Sequence, residues 1–425
     1  MKEELLHYIW KFQKLTHSQL KCVHGEKVQI HHPGTHNLQA GPDFFNAKLM
    51  IANQLWAGNV EIHLKSSDWY VHNHQNDDTY TNVVLHVVWE HDAEVYRADG
   101  TVIPTLILSN YVASDLLNRY QNLMTNHRNW INCENELPDI DEFIIKNWLE
   151  RVYFERLEER QKLISKELSE LNNHWEALFF RMLFKNFGLK INGASFLSIA
   201  RSFDFKIIQK NDNPEMIEAL FMGQAGLLDE IKEDAYFQSL KETYKYVRHK
   251  YNLTNTSVLK PQFFRLRPPN FPTIRLSQLA VLYAQHKNIF TSMIKTDSVE
   301  AFYDFFDIAA SDYWTTHFNF GVPAAKRKKK LTKKFIDLLL VNTIIPIKFS
   351  YAKRNGEAIS DHLIELATTL AAEENSIVSK FNSIRPLAVN SLDSQALLQL
   401  KNNYCDKNKC LNCAIGNSLI GNKTG

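Results

Sequence analysis

The chain has 425 residues, 44% of them hydrophobic and 23% charged, and a formal net charge of +2. That is the composition of an ordinary soluble globular protein with room for two domains; it excludes a disordered chain and a globally basic nucleic-acid coat. Five cysteines, an odd number with three of them after residue 404, argue against a secreted disulfide scaffold and for free thiols or a metal clip.

The opening MKEELLHYIWKFQKL carries acidic residues and no long apolar core, so no secretory leader is expected. Its Leu5, Leu6, Ile9, Trp10 and Phe12 recur at helical spacing. Strand-like runs come next: KVQIHH, FFNAKLMIA, LWAGNVEIHLK, the valine-rich NVVLHVVWE, and TVIPTLILS after the hairpin dipeptide Asp99-Gly100. These place a sheet over about residues 28–110. From about residue 140 the long amphipathic run DEFIIKNWLERVYFERLEERQKLISKELSEL begins, and helical patterns continue to about residue 400. The expected fold is therefore α+β: an N-terminal mixed β-sheet domain with flanking helices over 1–135, then a mainly α-helical domain over 136–425 that ends in a cysteine cluster. The most apolar late stretch, FIDLLLVNTIIPIKF, is interrupted by Asp337, Asn342 and Pro346 and falls short of a membrane span. A cytoplasmic protein without membrane association is the expectation; oligomeric state is left open.

Eleven of the 17 histidines fall within residues 1–91, which points to that part as the seat of any chemistry. In GNVEIHLKSSDW, Val60, Ile62 and Leu64 alternate with Glu61, His63 and Lys65, the period of a half-buried strand. Asp43 comes after the Gly41-Pro42 turn at the start of the preceding strand. A hairpin would bring Asp43 to Glu61, and two carboxylates at a sheet edge can hold Mg²⁺ or Mn²⁺. His63 is then a third ligand or general base, and Lys65 an oxyanion stabiliser. The structural alternative is a capping Asp43 and a solvated strand face. Downstream, His72 and His74 form a His-x-His pair compatible with zinc or manganese, or else lie on a surface loop. His86, inside an apolar run, needs a hydrogen-bond partner if buried.

Near the C-terminus, Cys405, Cys410 and Cys413 are spaced to face one metal, zinc or an iron–sulfur cluster, with a fourth ligand to come from Cys133, Cys22 or a histidine. The run KRKKKLTKK, with Lys328 and Lys329, and the Pro-rich bend holding Arg265, Arg267 and Arg275 are candidate contacts to nucleic acid, or solvated and ion-paired surface. No Walker loop, Gly-x-Gly-x-x-Gly or Gly-x-Ser-x-Gly occurs, which leaves nucleotide hydrolysis, dinucleotide redox chemistry and serine hydrolysis unsupported.

Pro42-Asp43 with Glu61 on the next strand resembles the PD-(D/E)XK nuclease superfamily. The match is incomplete: Glu61-Ile62-His63 has histidine at the lysine position, and His63-Leu64-Lys65 has the lysine without the acid. In related folds an acid from the first helix joins the site, which by this resemblance is Glu4. Some of those nucleases staple their chain ends with an iron–sulfur clasp made of one early and three late cysteines. Cys133 with the terminal three resembles that layout at different spacings, and the resemblance selects Cys133. Over nearly the whole length, the segments GPDFFNAKL, GNVEIHLKSSDWYVHNH, VVLHVV, FFRLRPPNFPTIRLSQLA and KCLNCAIG resemble the uncharacterised bacterial family called domain of unknown function 2851, which brings no residue roles. The leading expectation is a metal-dependent phosphodiester hydrolase acting on nucleic acid. The alternatives are a non-enzymatic nucleic-acid- or protein-binding scaffold and a zinc-dependent hydrolase of small molecules through His63, His72 and His74.

Overall fold

A computed structural model describes residues 1–16, 19–125, 129–358 and 361–421. The chain forms two compact units, Met1–Trp148 with Leu400–Gly425, and Leu149–Gln399. The first is a mixed sheet with flanking helices; the second is mainly helical.

The first unit opens with helix α1 (Glu3–Lys11), whose acidic first turn and basic last turn suit the helix dipole. Leu5, Leu6, Ile9 and Trp10 are buried, while Glu3 and His7, one helical turn apart, stay half-exposed on another stripe. The strands are β1 (Leu20–Lys21), β2 (Lys27–His32), β3 (Thr35–His36), β4 (Phe44–Ile51), β5 (Gln54–Lys65), β6 (Val83–Glu90) and β7 (Thr105–Ile107). Their order is β1-β2-β4-β5-β6-β7, with β3 pairing β4 off this path. The β2–β4–β5 meander is antiparallel, and β6 and β7 add in parallel to β5. Parallel addition needs a crossover, and residues 66–82 supply it. β6 is buried along Val83–Val88, as a strand covered on both faces must be. Gly58 is required where β5 meets β6, because a Cβ there would stand 2.4 Å from Val84 Cγ1.

A bulge in β4 brings two acidic side chains to the same face. Ala47 pairs with Gly58 but Phe44 pairs with Val60, so β4 carries one extra residue between these pairs. Asn46 takes it up at φ 57°, and its N–H donates to Asn59 Oδ1 at 3.3 Å. One position further out, Asp43 comes opposite Glu61; in the unbulged register it would face Ile62. Directly opposed residues share a face.

The C-terminal segment belongs to this unit and not with the helical one, in contrast to a division at 135/136. Leu411 and Ile420 are buried in the same hydrophobic cluster as Leu5, Leu6, Val60, Ile62, Tyr120 and Leu123. That burial is tertiary and leaves no mark in local periodicity.

In the second unit, helices Trp175–Phe187, Leu189–Arg201, Pro214–Gln224 and Pro272–Gln285 bury a phenylalanine-rich core that includes Phe180, Phe184, Phe196 and Phe221. Asn213 caps its helix by accepting from the N–H groups of Glu215 and Met216, with Pro214 at the first position. Lys333–Arg354 is long and apolar enough to cross a membrane, and 67% of its apolar window is buried within the protein.

Candidate functional site

Glu61 and His63 lie on one face of β5, and both are buried, at 5% and 2% exposure. The crossover covers them, so this polar strand face is not solvated. Helix α2 (Asp68–Val71) is anchored by Trp69, and Asp92 accepts from the hydroxyls of Ser66 and Ser67 to fix the turn. Asn73, left-handed at φ 61°, reverses the chain between His72 and His74. Both rings then fold back over His63, with His74 stacked on Tyr80 at a centroid distance of 3.8 Å.

The result is a tight group of donors. His63 Nε2 lies 3.1 Å from His72 Nδ1 and 3.5 Å from Glu61 Oε1. His74 Nε2 lies 3.3 Å from the same Glu61 oxygen, yet makes no hydrogen bond of good geometry and is buried. One ligand atom from each of His63, His72 and His74 falls within 4.8 Å of the other two. A tetrahedral ion with bonds of about 2.0–2.1 Å to nitrogen and oxygen separates its ligand atoms by about 3.3–3.4 Å. The three donor distances bracket that value, and the imidazoles of His63, His72 and His74 are close enough to share one transition-metal ion, with Glu61 beside His63 and His74. Behind them, His63 Nδ1 meets His86 Nε2 at 2.9 Å. This is the outward hydrogen bond that orients a ligating imidazole.

The electrostatics suit such a set. Burial, then the nearby His74 and His72, hold His63 down to about 3. Burial pushes His86 well below its ordinary range and lowers His74. All three imidazoles are therefore neutral at pH 7, the form that ligates metal. Burial, then Asp43, pushes Glu61 up to about 9, where a cation beside the carboxylate would favour its ionised form.

Asp43 stands at the edge of this group. Its N–H donates to Glu61 Oε2 at 3.1 Å, and its Oδ2 accepts the Ile62 N–H at 3.0 Å. The same Oδ2 is 3.2 Å from His7 Nε2. Burial opposes protonation of His7, but the Asp43 carboxylate outweighs it and raises the ring. Burial, then Asp43, raises Glu3. Glu3 and His7 escaped sequence reasoning; their i,i+4 spacing on a helix with its apolar stripe elsewhere was the available signal. Glu3, not Glu4, is the helix acid near this group, because Glu4 is exposed on another side of α1.

Several anticipated residues lie elsewhere. Lys65 is outside the group, at the exposed end of β5, with Nζ 3.8 Å from Glu90. In the second unit Arg275 is buried, donates to Gln278 Oε1 and Asn270 Oδ1, and lies 3.5 Å over the Phe335 ring, so it is not a surface contact for nucleic acid. Lys329 is also buried, with Nζ donating to the carbonyls of Trp314 and Thr315. The strand pairing of Lys330 with Ala309 draws this end of the basic run inward. Arg265, Arg267 and Lys328 are exposed. Cys133, Cys405, Cys410 and Cys413 line one recess of the first unit, whereas Cys22 is buried in the hydrophobic core.

Fold and site together define an α+β protein whose mixed-sheet unit carries a partly buried histidine–carboxylate cluster. The chain belongs to the family described as Protein of unknown function (DUF2851), whose model matches residues 3–376. No curated protein and no solved structure matches it.

Proposed function

We propose that the first unit is a transition-metal-dependent phosphodiester hydrolase, with the ion held by Glu61, His63, His72 and His74. The observation that carries this reading is the convergence of one nitrogen from each of His63, His72 and His74 within 4.8 Å, with Glu61 Oε1 3.5 Å from His63 and 3.3 Å from His74. Three imidazoles and one carboxylate favour zinc, manganese or iron over Mg²⁺, which prefers an all-oxygen shell. An ion there would supply Lewis acidity, activating water and offsetting charge on a phosphoryl oxygen. His86 keeps the His63 ring aimed. His72 is exposed, which leaves the group open to substrate on that side. His7, raised by Asp43, is placed to give a proton to a leaving alkoxide, and Asp43 fixes the orientation of the ring.

The choice of a phosphodiester rests on the order of parts: Pro42-Asp43 opening one strand, an acid on the next antiparallel strand, and a helix acid beside them. This parallels the PD-(D/E)XK arrangement without its lysine, whose charge-stabilising task would pass to the ion and His7. The exposed Arg265, Arg267 and Lys328 suit a polyanionic partner.

The test is hydrolysis of an aryl phosphodiester, DNA and RNA by the full chain with Mn²⁺, Zn²⁺ or Mg²⁺. Turnover with Mn²⁺ or Zn²⁺ that falls by about 10² or more in Glu61→Gln and His72→Ala supports the proposal. No turnover of any phosphodiester by the metal-loaded chain, or unchanged turnover in Glu61→Gln, overturns it. Nucleic-acid binding without cleavage would then favour the scaffold reading.

A further inference from the structure

Away from the histidines, the first unit gathers its other four cysteines. Cys133 comes from the segment after helix α3 (Ser114–Thr125); Cys405, Cys410 and Cys413 come from the returning C-terminal segment. All four line one recess with Leu123 and Tyr404. None is in a disulfide. Four thiols from chain segments separated by all of residues 149–399 converge on one space at the margin of the hydrophobic core.

Their spacing narrows the ligand. A zinc ion with bonds of about 2.3 Å to sulfur draws its thiolates to within about 3.8 Å of each other. Among the described residues, the group of three or more ligand atoms within 4.8 Å of one another is His63, His72 and His74; no three of the four thiols meet that limit. Thiols that surround one recess but stand wider than a single ion allows suit a polynuclear core, in which different irons carry different thiolates. The surroundings agree. Asn132 Nδ2 approaches Cys410 Sγ at 3.4 Å, and the N–H groups of Ile415 and Gly416 point at Cys413. Such donors stabilise the sulfur charge of iron–sulfur ligands. Gly416 permits the tight loop, since a Cβ there would stand 2.2 Å from the Cys410 carbonyl oxygen.

We propose that Cys133, Cys405, Cys410 and Cys413 ligate an iron–sulfur cluster that clamps the C-terminal segment to the sheet unit. Each thiol exchanges its proton for a bond to iron, so uptake of a preformed cluster releases one proton per cysteine and needs no oxidant or reductant. The clamp closes a loop containing the entire second unit and fixes both of its chain ends in the first. This inference does not depend on the hydrolase reading.

The experiment is anaerobic purification of the full chain, with iron, zinc and acid-labile sulfide measured per chain, visible absorption, and electron paramagnetic resonance before and after dithionite. The expected result is iron with matching sulfide, a broad visible charge-transfer band bleached by dithionite, and loss of both in Cys410→Ser/Cys413→Ser while the far-ultraviolet circular dichroism of the folded chain persists. Zinc without sulfide, lost in the same variant, overturns the proposal in favour of a zinc clip. If the variant does not fold, wild type decides: anaerobic reconstitution with ferrous iron and sulfide should restore the band. Four thiols that stay freely reactive after that treatment overturn the proposal.

Discussion

Asp43 and Glu61 are joined through the backbone: the Asp43 N–H donates to Glu61 Oε2 at 3.1 Å, and the Ile62 N–H donates to Asp43 Oδ2 at 3.0 Å. Two acids are thereby held side by side on adjacent strands. The arrangement exists because β4 is one residue longer than β5 at the bulge. Geometry that costs stability in the isolated chain is what a cation-binding site requires.

The bulge itself is open to test. Asn46 sits at φ 57°, a conformation that a β-branched residue resists. Asn46→Val should cost about 1–3 kcal/mol and weaken Mn²⁺ or Zn²⁺ binding by displacing Asp43 and Glu61. Asn46→Gly, which accepts positive φ, should leave binding within a few-fold of wild type. Thermal melts and metal titration of the pair check both halves.

A second expectation concerns pH. His63 is depressed to about 3 from an ordinary 6.5, and His74 and His86 are also lowered. The unfolded chain therefore binds more protons at these sites below pH 6.5, and metal-free stability should rise with pH up to that point. Glu61 is raised from 4.5 to about 9, so there the folded chain binds the extra proton. Its contribution is fully present below 4.5 and lost as pH rises through 9. Raised His7 acts in the same direction above 6.5. Denaturant midpoints of metal-free protein should thus peak between about pH 6 and 7, with the alkaline decline reduced in Glu61→Gln to the part that His7 contributes. With a divalent ion present, affinity and stability should climb through the same alkaline range, because the ion replaces the Glu61 proton.

In the second unit, Glu218 is wholly buried and accepts from Trp314 Nε1 at 2.6 Å and Ser277 Oγ at 2.7 Å. Glu218→Ala strands both donors and opens a cavity, at a cost of about 3–5 kcal/mol. Glu218→Gln keeps an acceptor for Trp314 and should cost about 1 kcal/mol. Chemical denaturation monitored by tryptophan fluorescence distinguishes the two.

Arg275 supports the same unit by planarity as much as by charge, lying 3.5 Å over Phe335 with its two donor bonds in plane. Arg275→Lys keeps the charge but loses the stack and the fork, and should cost about 2 kcal/mol. Arg265→Ala/Arg267→Ala should leave the melting temperature unchanged and reduce the salt dependence of any nucleic-acid binding.

Local chemistry made part of this legible in sequence. Alternation of Val60, Ile62 and Leu64 marked β5, the valine run marked β6, and the hairpin between β4 and β5 carried Asp43 toward Glu61. The fate of His72 and His74 was not legible, because it depends on a left-handed Asn73 and on Trp69 anchoring a crossover that covers the strand face. Lys65 kept to the alternation of β5 but lay one step past its covered end. Arg275 and Lys329 sat in basic runs that look like surface, and only tertiary partners, Phe335 for one and carbonyl groups for the other, drew them inside. The C-terminal return to the sheet unit rests on Leu411 and Ile420 finding a distant core, which no window of sequence encodes.

The central claim is most directly tested by titrating metal-free full chain with Mn²⁺, which thiolates bind poorly, wild type against His72→Ala/His74→Ala, with bound ion counted after dialysis. His72 is exposed and His74 sits on the crossover, so the variant should still fold. One ion per chain in wild type, with affinity falling at least about 100-fold in the variant, is the predicted result. Equal uptake by both proteins, or none by wild type, would contradict a metal centre built from Glu61, His63, His72 and His74.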